Sequence, residues 1–324
     1  MATTTTESVT TAGSRRRGRA APRLQSGRRG GAGLRTKRSR TDPLFLVFLI
    51  PTLLLFTLAI TLPAIIGFYY SFTNSLGFGD YEFIGLRNYI ALFQDPNILS
   101  AYLFTLGFAL ITVIAVNVIA FALAVMLTSR IRFQTALRTI FVIPMVISGI
   151  IIAFVFKFLF SNSLPALGAA LGIDVLAEPI LANENLAWLG IVIVTAWSSI
   201  PGAMLIYIAG LVTIPTELYE AASIDGASAW QRLLRITLPM VSGFILINTI
   251  LGFKGFLNAY DVIVGLTDGG PGTATTSIAM SIFKGFGGGD YGYQMANAAV
   301  FFLITVILAG LQLRLTAGKA SFGA

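Results

Sequence analysis

The 324-residue chain contains no cysteine and no histidine. Without cysteine there are no disulfides, thiol nucleophiles or thiolate metal sites. Without histidine, imidazole acid–base catalysis and most transition-metal sites are excluded. Charge is scarce too, at 11% of residues, against about 25% in a soluble domain. Apolar residues take its place, with 56% hydrophobic side chains and a mean hydropathy of +0.82. A water-soluble fold of this size cannot hide that much apolar surface, so the surface must face lipid. The composition therefore predicts an all-α membrane protein with no catalytic site of its own.

The net charge of +8 is concentrated at one end. Residues 1–43 hold eleven Lys and Arg against Glu7 and Asp42, and the rest of the chain is close to neutral. This segment is rich in Thr, Ser, Gly, Ala and Arg, with little to bury, and its composition predicts a disordered basic cytoplasmic tail. It has no interleaved aromatics for base stacking, which argues against nucleic acid and for anionic lipid headgroups as its partner. The apolar run that starts at Leu44 is too long for the core of a cleavable signal peptide.

Six segments are long and apolar enough to cross about 30 Å of hydrocarbon, which takes roughly 20 residues each. They are 44–70, 102–127, 139–160, 187–211, 241–264 and 294–315. Basic residues alternate between the connecting segments. The N-terminal tail, loop 128–138 (Arg130, Arg132, Arg138), loop 212–240 (Arg232, Arg235) and the C-terminus (Arg314, Lys319) are basic. Loops 71–101 and 265–293 carry only Arg87 and Lys284, and 161–186 carries neither Lys nor Arg. The positive-inside rule then predicts six transmembrane helices with both termini cytoplasmic.

Loop 212–240 is too long for a simple connector. Thr216 is placed to cap a short helix, with Glu217 and Glu220 near its positive end. Gly226 is placed to end that helix with positive φ. Ser228-Ala229-Trp230-Gln231 reads as a capping box starting a second helix, and Pro239 closes the unit before the fifth span. Physical chemistry alone leaves two readings: an amphipathic connector lying on the bilayer, or a docking element whose small-residue end enters a groove on another protein.

Residues 220–239, EAASIDGASAWQRLLRITLP, resemble the EAA loop of ATP-binding-cassette importer permeases, with Glu220, Ala221, Ala222, Gly226, Ile236, Leu238 and Pro239 filling the motif. The variant with Asp225 before Gly226 is similar to the carbohydrate-uptake branch, which includes maltose, lactose and glycerol-3-phosphate permeases. FIGLRNYIALFQDP (83–96), Arg138-Thr139-Ile140-Phe141 through Pro144, and LTDGGPGTATTS (266–277) resemble the same branch. The resemblance implies a type I ABC permease fold. Its first transmembrane helix and external loop would occupy 44–100 and a five-span core 101–316, with coupling loop 212–240 and a short cytoplasmic tail at 317–324. It implies coupling to the ATPase through Glu220, Ala221, Ala222, Asp225 and Gly226.

The implied partners are a second homologous permease, an ATPase dimer and an extracytoplasmic solute-binding protein, in a prokaryotic cell membrane, with a sugar as cargo. The chain has no G-x-x-x-x-G-K-[ST] phosphate loop, so ATP and Mg would be bound by the partner ATPase. Candidates for the substrate path are Asn117, Trp197, Tyr207, Asn248, Lys254, Gln294 and Asn297. Sugars pack on aromatic faces and bond to amides or charges, but intramembrane amides also serve as hydrogen-bonding glue between helices. Lys254 either faces a cavity or partner, pairs with Asp261, or snorkels. A channel or secondary transporter for a small polar solute is the alternative function, although it would call for more ionisable groups in the spans.

Overall fold

The structure, a computed structural model, describes residues 43–129 and 132–317. The basic tail before Pro43, Arg130, Lys319 and the C-terminal tail lie outside the described residues. The chain divides into two units, Met1–Leu55 and Phe56–Ala324. In the first, the described residues are a helix, α1 (Pro43–Phe56), that runs to the unit's end and exposes Val47, Phe48 and Leu55.

The second unit continues with α2 (Leu62–Tyr70), α3 (Arg87–Gln94), α4 (Pro96–Thr128), α5 (Gln134–Val146), α6 (Gly149–Phe158), α7 (Leu164–Leu171) and α8 (Asp174–Ala177). It ends with α9 (Ala187–Val212), α10 (Thr216–Ile224), α11 (Ala229–Arg232), α12 (Leu238–Met240), α13 (Ser242–Leu257), α14 (Asp261–Leu266), α15 (Ile278–Gly287) and α16 (Tyr291–Ala317). Among the described residues there is no sheet, and an isolated bridge joins Thr73 to Phe83.

Five helices are long and apolar enough to cross a membrane: Val47–Tyr70, Pro96–Thr128, Gly149–Leu171, Ala187–Val212 and Tyr291–Arg314. A sixth crossing exists if the pair Ala229–Met240 and Ser242–Leu257, bent by 65°, counts as one. The expected third span at 139–160 is corrected in position. The chain breaks at Ile147 and Ser148, both extended, so α5 is a separate short helix and the long apolar helix starts at Gly149. Hydropathy is continuous across that break, so composition could not locate it. The fifth segment, expected as 241–264, is α13 and α14 separated by a break at 258–260.

Three prolines share one local solution. Widened π-type turns at Thr57–Thr61, Leu159–Ser163 and Leu233–Thr237 each end two residues before Pro63, Pro165 and Pro239. A proline in a helix removes one N–H and crowds the preceding turn. Widening that turn relieves the crowding and keeps the other backbone groups bonded, as hydrocarbon demands.

Two apolar clusters organise the bundle. One joins Phe108 and Val113 of α4, Ile191 of α9, Leu257, Ile263 of α14 and Met280 of α15. The other joins Ala120, Ala124 and Leu127 of α4 to Met204 and Tyr207 of α9. Small residues permit the close approaches: a side chain at Gly210 would strike the Phe244 ring at 2.6 Å, and one at Gly265 would strike Ala153 Cβ at 2.5 Å. Large apolar side chains such as Leu103 and Phe302 point outward, as lipid-facing residues do.

Candidate functional site

Two regions of the second unit carry the candidate residues. The first lies where α4, α9 and α13 pack together. Tyr207 on α9 donates its hydroxyl to Asn117 Oδ1 on α4. Asn117 Nδ2 donates to the Val113 carbonyl at 2.7 Å, and Asn248 Nδ2 on α13 donates to the Ala203 carbonyl at 3.0 Å. Tyr207 and Asn248 are buried. Beside this network is a cavity of about 280 Å³, lined among others by Asn117, Ser199, Gly202, Asn248, Gly252 and Gly255. Glycines on two of the three walls leave space that larger side chains would fill.

The other expected path residues are not part of this network. Gln294 and Asn297 on α16 are buried and form a separate cluster with α4, where Tyr102 donates to Asn297 Oδ1 at 3.0 Å. Gln294 also lies over Gly285, where any side chain would collide with it. Trp197 packs on Phe156 of α6, with ring centroids 5.2 Å apart. Lys254 is exposed on α13 next to the break at 258–260. Of its three alternatives, the pairing with Asp261 is not formed, because the break interrupts the helical spacing; among the described residues the ion pair is Lys284 with Asp268.

Sequence reasoning overlooked Lys157, which stands exposed in the helix Gly149–Leu171 and was legible as an in-span charge. It also overlooked Tyr102, Thr105 and Ser277, whose hydroxyls link distant elements. The isolated hydroxyls of Tyr102 and Thr105 in an apolar helix gave no usable signal.

The second region is the helix pair α10 and α11. The expected Thr216 cap is corrected: Thr216 is the first helical residue, Pro215 precedes it in extended conformation, and no side chain caps the end. Gly226 has φ of +74°. Its N–H donates to Ser223 O at 3.1 Å and the Ala227 N–H to Ala222 O at 2.9 Å, the paired bonds of a Schellman ending. Asp225 occupies the C-cap. Both reciprocal bonds of the Ser228–Gln231 capping box are present.

Two side-chain links brace the pair: Tyr219 and Thr237 hydroxyls lie 2.9 Å apart, and Arg232 donates to Ser223 Oγ at 2.9 Å. The face so held is open. Glu220, Ala221, Asp225 and Gly226 are exposed, Ala222 is half-buried, and Ile224 is 87% exposed.

Residues 117–318 match the family described as the binding-protein-dependent transport system inner membrane component. The chain belongs to this family. The match spans the polar network, the helix pair and the loop that follows. It decides against the channel and secondary-transporter alternatives. As a component of this family the chain is a non-enzymatic permease, and ATP hydrolysis resides on a separate subunit.

One relative is the probable starch degradation products transport system permease protein of Thermoanaerobacterium thermosulfurigenes, 33% identical over 271 residues, covering 83% of this chain and 92% of that one. Another is the multiple sugar-binding transport system permease protein of Streptococcus mutans serotype c, 35% identical over 271 residues, covering 83% and 93%. A chain in the crystal structure of a bacterial ABC transporter that imports the acidic polysaccharide alginate superposes with a TM-score of 0.75 at 21% identity. That alignment covers 87% of the permease and 97% of the alginate transporter chain, and it shows the shared fold. Among the described residues of the permease, no three His, Cys, Asp or Glu side chains converge on a metal position.

Proposed function

We propose that this permease forms half of the translocation pore of an ATP-driven, binding-protein-dependent sugar importer in a prokaryotic cell membrane. A homologous second permease supplies the other half, an ATPase dimer carrying ATP and Mg docks inside, and a loaded solute-binding protein docks outside. Both termini and the loops around Arg132 and Glu220 are cytoplasmic, and Arg87, Asp174 and Asp268 are external, as the distribution of basic residues requires. Sugar is the cargo named in the two relatives described above. The solute path runs past the cavity at Asn117 and Asn248 and the break that follows Lys254. Non-helical backbone at membrane depth is tolerated where it lines a cavity.

The observation that carries this reading is the braced helix pair with an open Ala221–Gly226 end and a nearly fully exposed Ile224. ATP can move the spans only if the ATPase engages two permease states with different free energy. A short capped element tied by Tyr219–Thr237 and Arg232–Ser223 transmits that difference, where a slack loop would dissipate it.

Gly226→Val tests the assignment. No atom lies within 4 Å of the position a Cβ would take, so the penalty is purely conformational, on the order of 1–3 kcal/mol of local strain. In the reconstituted complex, assembly and binding of sugar by the external protein are expected to persist, while sugar-stimulated ATP hydrolysis and uptake fall together. An assembled Gly226→Val complex with wild-type uptake and hydrolysis would falsify the coupling role.

A further inference from the structure

The stretch 266–277 takes no part in the helix pair or the polar network, yet it is densely cross-braced. Thr267 and Thr275 hydroxyls lie 2.8 Å apart, Thr275 Oγ1 donates to Gly270 O at 2.7 Å, and Thr275 N donates to Gly269 O at 3.1 Å. Asp268, Gly269 and Gly272 have φ of +51°, +91° and +56°, which gives the loop a tightly folded path. Its two sides differ. Thr275, Ser277, Ile278 and Met280 are buried, whereas the Asp268–Lys284 ion pair, at 2.9 Å, stands in the open.

The inner end of the loop meets two membrane helices. Ser277 Oγ accepts from Met280 N at 3.3 Å, which caps α15, and donates to the Ala259 carbonyl at 3.0 Å. Ala259 lies in the break between α13 and α14, flanked by Asn258 and Tyr260 in non-helical conformations. Next to it, Ile278 N donates to Thr105 Oγ1 on α4 at 3.0 Å. Ser277 thus uses its buried hydroxyl twice, once for the outer helix and once for the interrupted span. Thr105 anchors the same outer helix without touching the break.

We propose that Ser277 is a positioning residue for the transport step. Its hydroxyl ties the external loop 266–277 to the break in the fifth span, so that a push on the outer face shifts the break beside Lys254. The loop moves as one body because its hydroxyls and carbonyls bond one another. The break is the part of the span able to adopt two arrangements, since the Ala259 carbonyl is bonded to Ser277 and not to the helical ladder. The push comes from the loaded binding protein, so this inference rests on the importer reading above.

The test uses the complete reconstituted transporter with the loaded binding protein, comparing wild type with Ser277→Ala, Ser277→Thr and Thr105→Val. Ser277→Ala is expected to keep basal ATP hydrolysis, and the binding-protein concentration for half-maximal stimulation, within about twofold. Maximal stimulated hydrolysis and uptake fall about tenfold, the order of one buried hydrogen bond. Ser277→Thr keeps the hydroxyl and retains at least about half of the stimulated rate. Thr105→Val lowers thermal stability but also retains most of the stimulation, because the link to Ala259 survives.

Wild-type stimulation in Ser277→Ala overturns the inference. So does equal loss in Ser277→Ala and Ser277→Thr, or a Thr105→Val that reproduces the Ser277→Ala defect. Should Ser277→Ala not assemble, Ser277→Cys, a weak donor of similar size, takes its place with the same expectations. Absence of binding-protein stimulation in the wild type overturns the importer reading and this inference with it. Normal wild-type stimulation with an unimpaired Ser277→Ala overturns this inference alone.

Discussion

The helix pair at 216–240 and the loop at 266–277 are both compact, glycine-bearing elements outside the apolar helices, but they are held in opposite ways. The pair is stabilised by neighbours in sequence: a Schellman ending at Gly226, a capping box between Ser228 and Gln231, and braces of nine and eighteen residues' separation. Its outer face stays open, with Ile224 exposed. The loop at 266–277 is buried on its inner side and bonded to Ala259, and Ile278, the next residue, bonds to Thr105, 173 positions away in sequence. On the proposed coupling role, an element that leaves its surface free for another protein has to be stabilised from within. An element that must follow the membrane helices has to be bonded to them.

That contrast predicts a large difference between two chemically identical substitutions. Gly269→Val combines a φ of +91° with a Cβ placed 2.7 Å from Thr276 Oγ1 and 3.3 Å from Met280 Sδ. Strain and overpacking together amount to roughly 3 kcal/mol or more. Its thermal midpoint in detergent and its yield of assembled complex should both fall. Gly226→Val shares the positive φ but has empty space around it, so it should assemble and fail only in coupling. Equal thermal midpoints for the two variants would break the comparison.

Ser228→Ala removes the side-chain oxygen that accepts the Gln231 N–H, a loss of about 1 kcal/mol. Coupled uptake should be reduced severalfold with assembly unchanged, and Ser228→Asp, which also caps, should restore it. The smallest effect is expected at the N-terminus. Deleting residues 2–35 removes eight of the eleven basic residues before Leu44, which on the proposed reading costs only an attraction to lipid headgroups. Uptake in vesicles should stay within about twofold, and loss of ATPase association would identify the tail as a docking site instead.

Much of the molecule was legible in one dimension because its physics is local. Helical spans follow from runs of apolar residues. The Gly226 ending and the Ser228 box follow from residue types at fixed offsets of a few positions. The breaks were not legible. The chain parts at Ile147, and the third long helix starts ten residues later than hydropathy placed it. The break at 258–260 has no proline at all, and its Ala259 carbonyl accepts a hydroxyl from residue 277.

The candidate path divides in the same way. Asn117, Tyr207 and Asn248 were each visible as polar residues in apolar runs, but only the packing of α4, α9 and α13 brings Asn117 and Asn248 to one cavity and bonds Tyr207 to Asn117. The same packing sends Gln294 and Asn297 to a different cluster with Tyr102. It also denies Lys254 the partner that helical spacing suggested.

The sequence by itself determined that this chain has apolar runs long enough for several membrane spans, and where its helix pair turns at Gly226 and restarts at Ser228. Each of these rests on composition or on contacts within one or two helical turns. The tertiary structure alone decided which polar side chains meet, where the third and fifth spans are interrupted, and how the outer loop is bonded to the membrane helices. Those features depend on hydrogen bonds between residues up to 195 positions apart, and in an apolar medium any polar group can satisfy any other that packing places within reach.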